Sequence, residues 1–336
     1  MHIRPVTRND LDAVLRIATI AGIGMTSLPP DREVLGAKVE RAAQTFEGSL
    51  ADEGDALYMF VMEDPADNTI VGTCGIEGHI GMKRPIYSYK ITTVTQYSDS
   101  MDIFSRNDML QMVNDYTGVS EMVSLFLDPA YRRDRLGRFL SRVRFLFMAL
   151  HRKHFDDRII AEIRGWHDGQ GNAPFYDSLA KHFFQMEFAE ADAICATKGN
   201  RFISELMPTY PIYISLLPED ARNVIGRPYA SSEAAKAMLE REGFAYNGYV
   251  DIFDGGPTLE ARTNNINTVQ ATKQAIIKAI EPLSDPTQRT MLARAEFEHF
   301  KACLGFMQSD NEVIIDPNSA ATLELSIGDT VAYVQN

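Results

Sequence analysis

Several features that would assign this chain to a familiar class are scarce or missing. It has three cysteines, Cys74, Cys195 and Cys303, each more than a hundred residues from the next. They make no CxxC pair and no disulfide framework, as suits a reducing cytoplasm. No run approaches the ~18 uncharged apolar residues a membrane-spanning helix requires. The first residues, MHIRPVTRNDLD, are charged from Arg4 onward and hold no apolar core, so no signal peptide is expected and the location expected is cytoplasmic. The chain has no GxSxG, no Walker A sequence and no HExxH, and no repeat of fixed period. Basic residues are the minority, 33 against 46 acidic ones, for a net charge of −13. That balance argues against a general nucleic-acid binder, which needs a basic face for counterion release.

The basic residues that are present cluster. Between Tyr131 and Lys153 stand Arg132, Arg133, Arg135, Arg138, Arg142, Arg144, Arg152 and Lys153, with Asp134 as the lone acid. A basic island in an acidic chain raises the question of which anion it meets. At 336 residues, with 45% hydrophobic and 24% charged residues, the chain is long enough for two folded units and ordinary for a globular protein.

Patterning predicts a short strand over His2–Pro5, with Thr7 as N-cap and Asp10 supporting a first turn. Leu11, Val14, Leu15 and Ala18 then fall at helical spacing, followed by a Gly-rich turn at 21–24 and a second helix over Asp31–Phe46. Strands are predicted at Leu57–Glu63, Ile70–Gly78, Tyr87–Tyr97 and Glu121–Leu127, the first three read as antiparallel. From Arg138 the period changes, and Phe139, Leu140, Val143, Leu146, Phe147 and Leu150 mark an amphipathic helix. A buried strand at Arg158–Arg164 and a helix over Pro174–Met186 follow. Later come a turn of helix at Phe202–Pro211, a helix at Ser231–Glu242 stopped by Gly243, and a strand at Tyr246–Phe253. Asn264–Lys278 fits helix or strand, with helix favoured by pattern alone. Strands are expected at Phe297–Gln308, Glu312–Asp316 and Thr330–Gln335.

The informative join runs from Leu125 to Leu140: a buried strand ending at Asp128-Pro129, a basic turn, Gly137, then a helix. A helix N-terminus exposes unpaired backbone N–H groups and a partial positive charge, so a preceding basic turn makes a cradle for a diphosphate. On this reading Arg132, Arg133, Arg135 and Arg138 meet phosphate, and Arg142, Arg144, Arg152 and Lys153 form a solvated helix face.

This join resembles the coenzyme A site of the GNAT acyltransferase superfamily, whose signature is Arg/Gln-x-x-Gly-x-Gly/Ala. Arg132-x-x-Arg135-x-Gly137 matches at its ends, with Arg135 where the first glycine usually stands. If that position needs φ > 0, a non-glycine residue costs roughly 1–2 kcal/mol. The alternatives are a reshaped loop or an Arg135 that contacts phosphate. A wider set of blocks is similar to bacterial arginine N-succinyltransferases: Thr26-Ser-Leu-Pro29, Ser124-Leu-Phe-Leu-Asp-Pro129, Arg144-Phe-Leu-Phe-Met-Ala149, Ala161-Glu-Ile-Arg-Gly165, Ala173-Pro-Phe175, Glu205-Leu-Met-Pro208, Pro211-Ile-Tyr213 and Tyr249 to Glu260. They run in order across residues 1–262.

The resemblance implies an α+β GNAT-type acyl-CoA N-acyltransferase fold with an appended, mainly β C-terminal subdomain, and so favours strand over helix at Asn264–Lys278. The units expected are a core over 1–200, a helix-strand segment over 201–262 that completes the active site, and a subdomain over 263–336. The implied activity is transfer of succinyl from succinyl-CoA, a co-substrate rather than a resident cofactor, to the α-amino group of L-arginine in arginine catabolism. The implied assembly is a homo-oligomer or a hetero-oligomer with a homologous subunit. The family's succinyl-CoA contact falls on Leu125, so the backbone of Leu125, Phe126 and Leu127 is expected to meet the thioester arm. Arg132, Arg133, Asp134, Arg135, Leu136, Gly137 and Arg138 are expected to surround the diphosphate. The family's proton-donor histidine falls on Tyr229, which makes Tyr229 the expected general acid by position and departs from the family pattern. Glu121, at the head of the predicted fourth strand, takes the place of a carboxylate base acting through water. Glu162, Glu205, Asp251 and Asp254 are candidates to hold the acceptor guanidinium. Another acceptor such as ornithine, another acyl-CoA, or a weakly catalytic subunit beside a competent homologue stay as alternatives. His151-x-x-His154 with Asp156 and Asp157 is weighed as a metal site and set aside.

Overall fold

A computed structural model of the chain describes residues 1–22, 25–83, 85–168, 172–199, 201–283, 289–308 and 313–335. Part of the expected turn at 21–24, and Glu312 of one expected strand, lie outside the described residues.

The chain opens with β1 (His2–Pro5), α1 (Leu11–Ala21) and α2 (Arg32–Phe46), followed by β2 (Leu57–Asp64) and β3 (Thr69–Glu77). The backbone N–H and the hydroxyl of Thr7 both donate to Asp10, which also binds Arg4 at 2.8 Å. Nearly every residue of β2 and β3 is buried. Strands covered on both faces show continuous apolar runs instead of alternation. One cover is α1 with α2, through Val14, Ile17, Leu35 and Val39. The other is the helix predicted from Arg138, observed as α3 (Leu136–Leu150), through Phe139, Leu140, Val143 and Phe147.

Between β3 and α3 lie β4 (Ser88–Ser98), β5 (Ile103–Val113) and β6 (Ser120–Leu127). The first three predicted strands therefore do not form one antiparallel set. β3 pairs with β6, and β4 pairs with β5 and with a later strand. β5 was not anticipated because Ser105, Arg106, Asn107 and Asp108 interrupt its apolar residues. After α3 come β7 (Arg158–Glu162), α4 (Pro174–Ser178) and α5 (Ala180–Phe184). The single helix expected over Pro174–Met186 is broken at Leu179, whose φ of −131° and ψ of −78° cannot continue a helix.

There follow α6 (Phe188–Lys198), α7 (Arg201–Leu206), β8 (Ile212–Tyr213), α8 (Glu219–Val224), α9 (Glu233–Arg241), β9 (Ala245–Asp251) and β10 (Pro257–Arg262). β10 pairs with β7 and β9, and β9 with β4, so residues 245–262 are strands of the core sheet. The ambiguous segment at 264–278 divides into α10 (Asn267–Ala271) and β11 (Lys273–Ile280). The rest is β12 (Thr290–Arg294), β13 (Lys301–Gly305), β14 (Met307–Gln308), β15 (Val313–Ile315), α11 (Pro317–Leu323) and β16 (Thr330–Gln335). The expected strand at Phe297–Gln308 starts only at Lys301, because Phe297 and Phe300 turn inward to pack against Phe147.

β13 pairs with β1, His2 against Cys303, so the C-terminal part extends the core sheet edge to edge. The sheet runs β14-β15-β11-β16-β12-β13-β1-β2-β3-β6-β7-β10-β9-β4-β5-β8 among the described residues. With helices on both faces and a mainly β appendage, this is an α+β fold with an added C-terminal subdomain.

Candidate active site at a strand splay

β6 and β7 run parallel, but only Ser120 with Ile159 and Glu121 with Ile160 are paired. Beyond Glu121 the two strands diverge. On its other side β6 loses register with β3 between Thr73 and Gly75, where Ser124 sits at φ 54°. The irregularity is held in place. The Ser124 N–H donates to Ser27 Oγ at 3.0 Å, the Ser124 hydroxyl to the Ser27 carbonyl at 2.9 Å, and the Thr73 hydroxyl to the Ser124 carbonyl at 2.9 Å. The divergence opens a cavity of about 740 Å³. Leu125, Phe126 and Leu127 of β6 line it, with Ala161 to Arg164 opposite and Ala234, Ala235 and Met238 of α9 as a further wall.

At one end stands the basic loop. Asp128 accepts from the Ala130 N–H at 3.0 Å and turns the chain out of β6. Arg132 donates to the Leu127 carbonyl at 3.2 Å and stacks over the Phe126 ring. Arg132, Arg133, Asp134 and Arg135 are exposed, and these four with Leu136 and Gly137 line the cavity mouth. Arg135 is the N-cap of α3 and sits at φ 61°, ψ 20°. The loop therefore keeps the left-handed turn of the glycine pattern, and Arg135 bears its strain. At Gly137 an added Cβ would meet only Leu127, at 3.9 Å, which agrees with a position open to glycine or alanine. The first turn of α3 aims its free amides at the same mouth.

At the other end the cavity is acidic. Glu121, Glu162, Asp192, Asp251 and Asp254 all line it. Asp254 is committed to the fold, its two oxygens accepting from the Gly165 N–H at 2.7 Å and the Gly256 N–H at 2.8 Å. That clamp needs glycine on both sides, since a Cβ on Gly256 would lie 2.2 Å from the Ile163 carbonyl oxygen. One oxygen of Asp251 accepts from the Phe253 and Asp254 amides. Glu121 and Glu162 accept no hydrogen bond from the described residues. Burial pushes the Glu121 carboxyl up to about 8, helped by Glu77 and Asp251 and opposed by Lys38. Burial also holds Glu162 well above the usual carboxylate range, with Glu121, Asp251 and Asp254 adding repulsion. Lys38 donates to the Ser27 carbonyl at 2.8 Å, and its own affinity for a proton is lowered by burial. Two carboxyls with no hydrogen bond from the described residues and a raised affinity for protons hold them in the cavity and, once ionised beside a cationic guest, can pair with it or take a proton from it.

Other expected residues are placed differently. Glu205 is exposed on α7 in an ion pair with Arg201 at 2.8 Å and does not line the cavity. Arg138 is half-buried and does not line the cavity. Tyr229 stands just outside the lining, two residues before Ser231, which is part of it. Its ring stacks on His167, centroids 4.1 Å apart, and its N–H donates to the Arg164 carbonyl at 2.8 Å.

The solvated reading of the later basic residues holds for Lys153 and fails for two of the arginines. Arg142 and Arg144 are 7% and 1% exposed. Here α3 is covered by the sheet and by residues of α9 and α10, so these two positions have no solvent to face. Arg142 meets Glu242 at 3.1 Å and Thr268 at 2.8 Å. His151 and His154 pack edgewise and tilted against Phe297, and no metal-binding group of His, Cys, Asp or Glu occurs among the described residues. Sequence reasoning missed Lys38, Asp192 and the buried state of Arg144. Asp192 sits on a helix that was not predicted, and no local pattern marks the other two.

Two family profiles match the chain. One described as the arginine N-succinyltransferase beta subunit covers residues 1–268, and one described as its C-terminal domain covers residues 273–335. An arginine N-succinyltransferase of Yersinia pestis is 43% identical over 99% of this chain and 97% of its own length. One of Escherichia coli is 38% identical over 100% of this chain and 97% of its own length. Among solved structures, subunit AI of the arginine/ornithine succinyltransferase of Pseudomonas aeruginosa superposes with a TM-score of 0.90 at 30% identity, covering 99% of this chain and 98% of that one.

Proposed function

The chain belongs to the arginine N-succinyltransferase family and is an acyltransferase, and from that premise we propose that it moves the succinyl group of succinyl-CoA onto the α-amino nitrogen of L-arginine. The observation that carries the reading is the polarity of the cavity: exposed arginines and helix amides at the mouth, two uncommitted carboxyls at the far end. An acyl-CoA diphosphate suits the first and a dicationic acceptor suits the second. The pantetheine arm lies along Leu125, Phe126 and Leu127, whose β7-facing edge has no strand partner beyond Glu121. Glu121, ionised when the cationic acceptor lies beside it, takes a proton through a water from the acceptor ammonium so that the free amine attacks the thioester carbon. The C–N bond forms as the C–S bond breaks. Tyr229 supplies the proton to the departing thiolate, so CoA leaves as the thiol; the second proton shed by the acceptor nitrogen as the amide forms restores the Tyr229 hydroxyl through water, and Glu121 passes the first to solvent. Glu162 and Asp251 hold the guanidinium, while Asp254 keeps the β7 end in place for them.

The cysteines are all free thiols, in keeping with action in the cytoplasm. No described helix is long and apolar enough to cross a membrane. A second reading, an acceptor other than arginine or a subunit that works only beside a homologue, is favoured by one feature, the tyrosine at the family's histidine position. Thiol release measured with purified protein separates these readings. The donors are succinyl-CoA and acetyl-CoA; the acceptors are arginine, ornithine and lysine. Release with succinyl-CoA and arginine is expected. Release only with another pair assigns another acyltransfer, and release with none assigns the dependent subunit.

A further inference from the structure

α3 carries, at Arg144, a buried cation for which the described residues supply no counter-ion. Its Nε donates to the Ser141 carbonyl at 3.1 Å and its Nη2 to the Ser141 hydroxyl at 3.2 Å, both neutral acceptors one turn back. Among the described residues no carboxylate stands within ion-pair distance of it, and Nη1 has no hydrogen bond. The titratable group acting on it is the Cys74 thiol, which burial pushes up to about 12 and so keeps neutral. Burial lowers the guanidinium to about 10, so it is still charged at neutral pH. Taking such an ion out of water is strongly unfavourable unless a partner offsets it. Arg142, two residues earlier and similarly buried, has that partner in Glu242.

Arg144 also forms part of the wall of the active-site cavity. It lies eight residues beyond Leu136, about 12 Å along the helix from the amides at the mouth. That separates it from a diphosphate held there and sets it toward the reacting end of the arm. Cys74, its neighbour, belongs to β3 at the point where β3 and β6 lose register, beneath the β6 backbone expected to face the thioester. The free carboxyls Glu121 and Glu162 are not among the charges that act on it. The cavity therefore offers a cation to the acyl group in one direction and anions to the acceptor in another.

We propose that Arg144 receives the terminal carboxylate of the succinyl group and so selects a dicarboxylic acyl thioester over a neutral one. The proposal rests on the acyl-CoA reading above. A planar fork meeting a carboxylate is the pairing for which arginine geometry is best suited, and here it completes a buried ion pair that the free protein leaves half made.

The test compares succinyl-CoA with butanoyl-CoA, which has the same chain length without the carboxylate. In wild type and in Arg144→Gln the ratio of kcat/KM for the two donors is measured with arginine, and the affinities for their unreactive carba(dethia) analogues are measured by calorimetry. The succinyl-to-butanoyl ratio is expected to fall at least 100-fold in Arg144→Gln and to recover partly in Arg144→Lys. An unchanged ratio, or equal loss on both donors, overturns the proposal. Should the variants not fold, a crystal structure of wild type with the succinyl analogue decides. A carboxylate at the Arg144 guanidinium supports the proposal, and a carboxylate elsewhere overturns it. A wild-type protein that binds the succinyl analogue but acylates no amine would instead count against the function proposed above.

Discussion

At the scale of single residues, the proposed mechanism gives the proton work to two side chains, Tyr229 and Glu121. Tyr229 is positioned by its stack on His167 and by the Arg164 carbonyl, beside the cavity and not in its lining. Tyr229→Phe removes only the hydroxyl and keeps the stack. It should lower turnover at least tenfold with little change in KM for either substrate, and turnover near wild type would remove Tyr229 from the mechanism. Glu121 has a sharper signature. Its folded-state carboxyl titrates above the ordinary glutamate value of 4.5, with burial as the largest cause. Between that value and about 8 the unfolded chain has lost a proton that the folded chain keeps. Stability contributed by this group is therefore present at low pH and lost as pH rises through that window. Melting temperature in the absence of substrates should fall from pH 5 to 8 more steeply in wild type than in Glu121→Gln. Parallel curves would show that Glu121 does not hold a proton there. Glu162 and Asp254 are raised too, so the variant should be flatter without being flat.

At the scale of elements, α3 is the piece around which the site is arranged. Its apolar period, with Phe139, Leu140, Val143, Leu146 and Phe147, predicts the helix from sequence, and those residues are buried as that period requires. Its N-terminus shows a compromise between stability and binding. Arg135 holds φ 61° where glycine would be unstrained, yet its guanidinium stands exposed at the cavity mouth. Arg135→Gly should raise stability by up to about 1 kcal/mol, relief of the left-handed strain less the added freedom of the unfolded chain. The same change should raise KM for succinyl-CoA severalfold, and the salt dependence of that KM should weaken. Lower stability with unchanged KM would mean that Arg135 serves the loop and not the phosphates. The Asp254 clamp is a second such element. Asp254-Gly-Gly reads as turn chemistry in sequence, and its geometry agrees, but the turn also fixes the end of β7 that carries Glu162.

At the scale of the molecule, one sheet joins the two halves, because β13 pairs with β1 and β9 pairs with β4. The β4–β5 ribbon departs from this body. Its eleven paired positions end at a tip where Tyr97, Met101, Ile103 and Phe104 are 58%, 68%, 49% and 66% exposed. A two-stranded ribbon with an apolar tip gains little by itself in water. If the expected oligomer forms through this tip, Ile103→Lys with Phe104→Asp should reduce the sedimenting mass to that of a 37.6 kDa chain. An unchanged mass would place the contact elsewhere.

Local pattern by itself determined the elements with strong period and the joins with distinct chemistry. The β6–loop–α3 cradle, its arginines and the Arg135 problem were all legible because they depend on neighbours in the chain. So was the family, through blocks such as Ala161 to Gly165 and Tyr249 to Glu260. Only the tertiary structure decided which polar groups are free. Asp254 and Glu162 look alike in sequence, but one is bound by two amides and the other by none among the described residues. Arg142 and Arg144 look like a solvated pair, but one has Glu242 from a hundred residues away and the other lines the cavity with no carboxylate partner among the described residues. Charge state and availability follow from desolvation and from partners distant in sequence. Those are set by how β6, β7, α3 and α9 close around one space, which no periodicity within any one of them can specify.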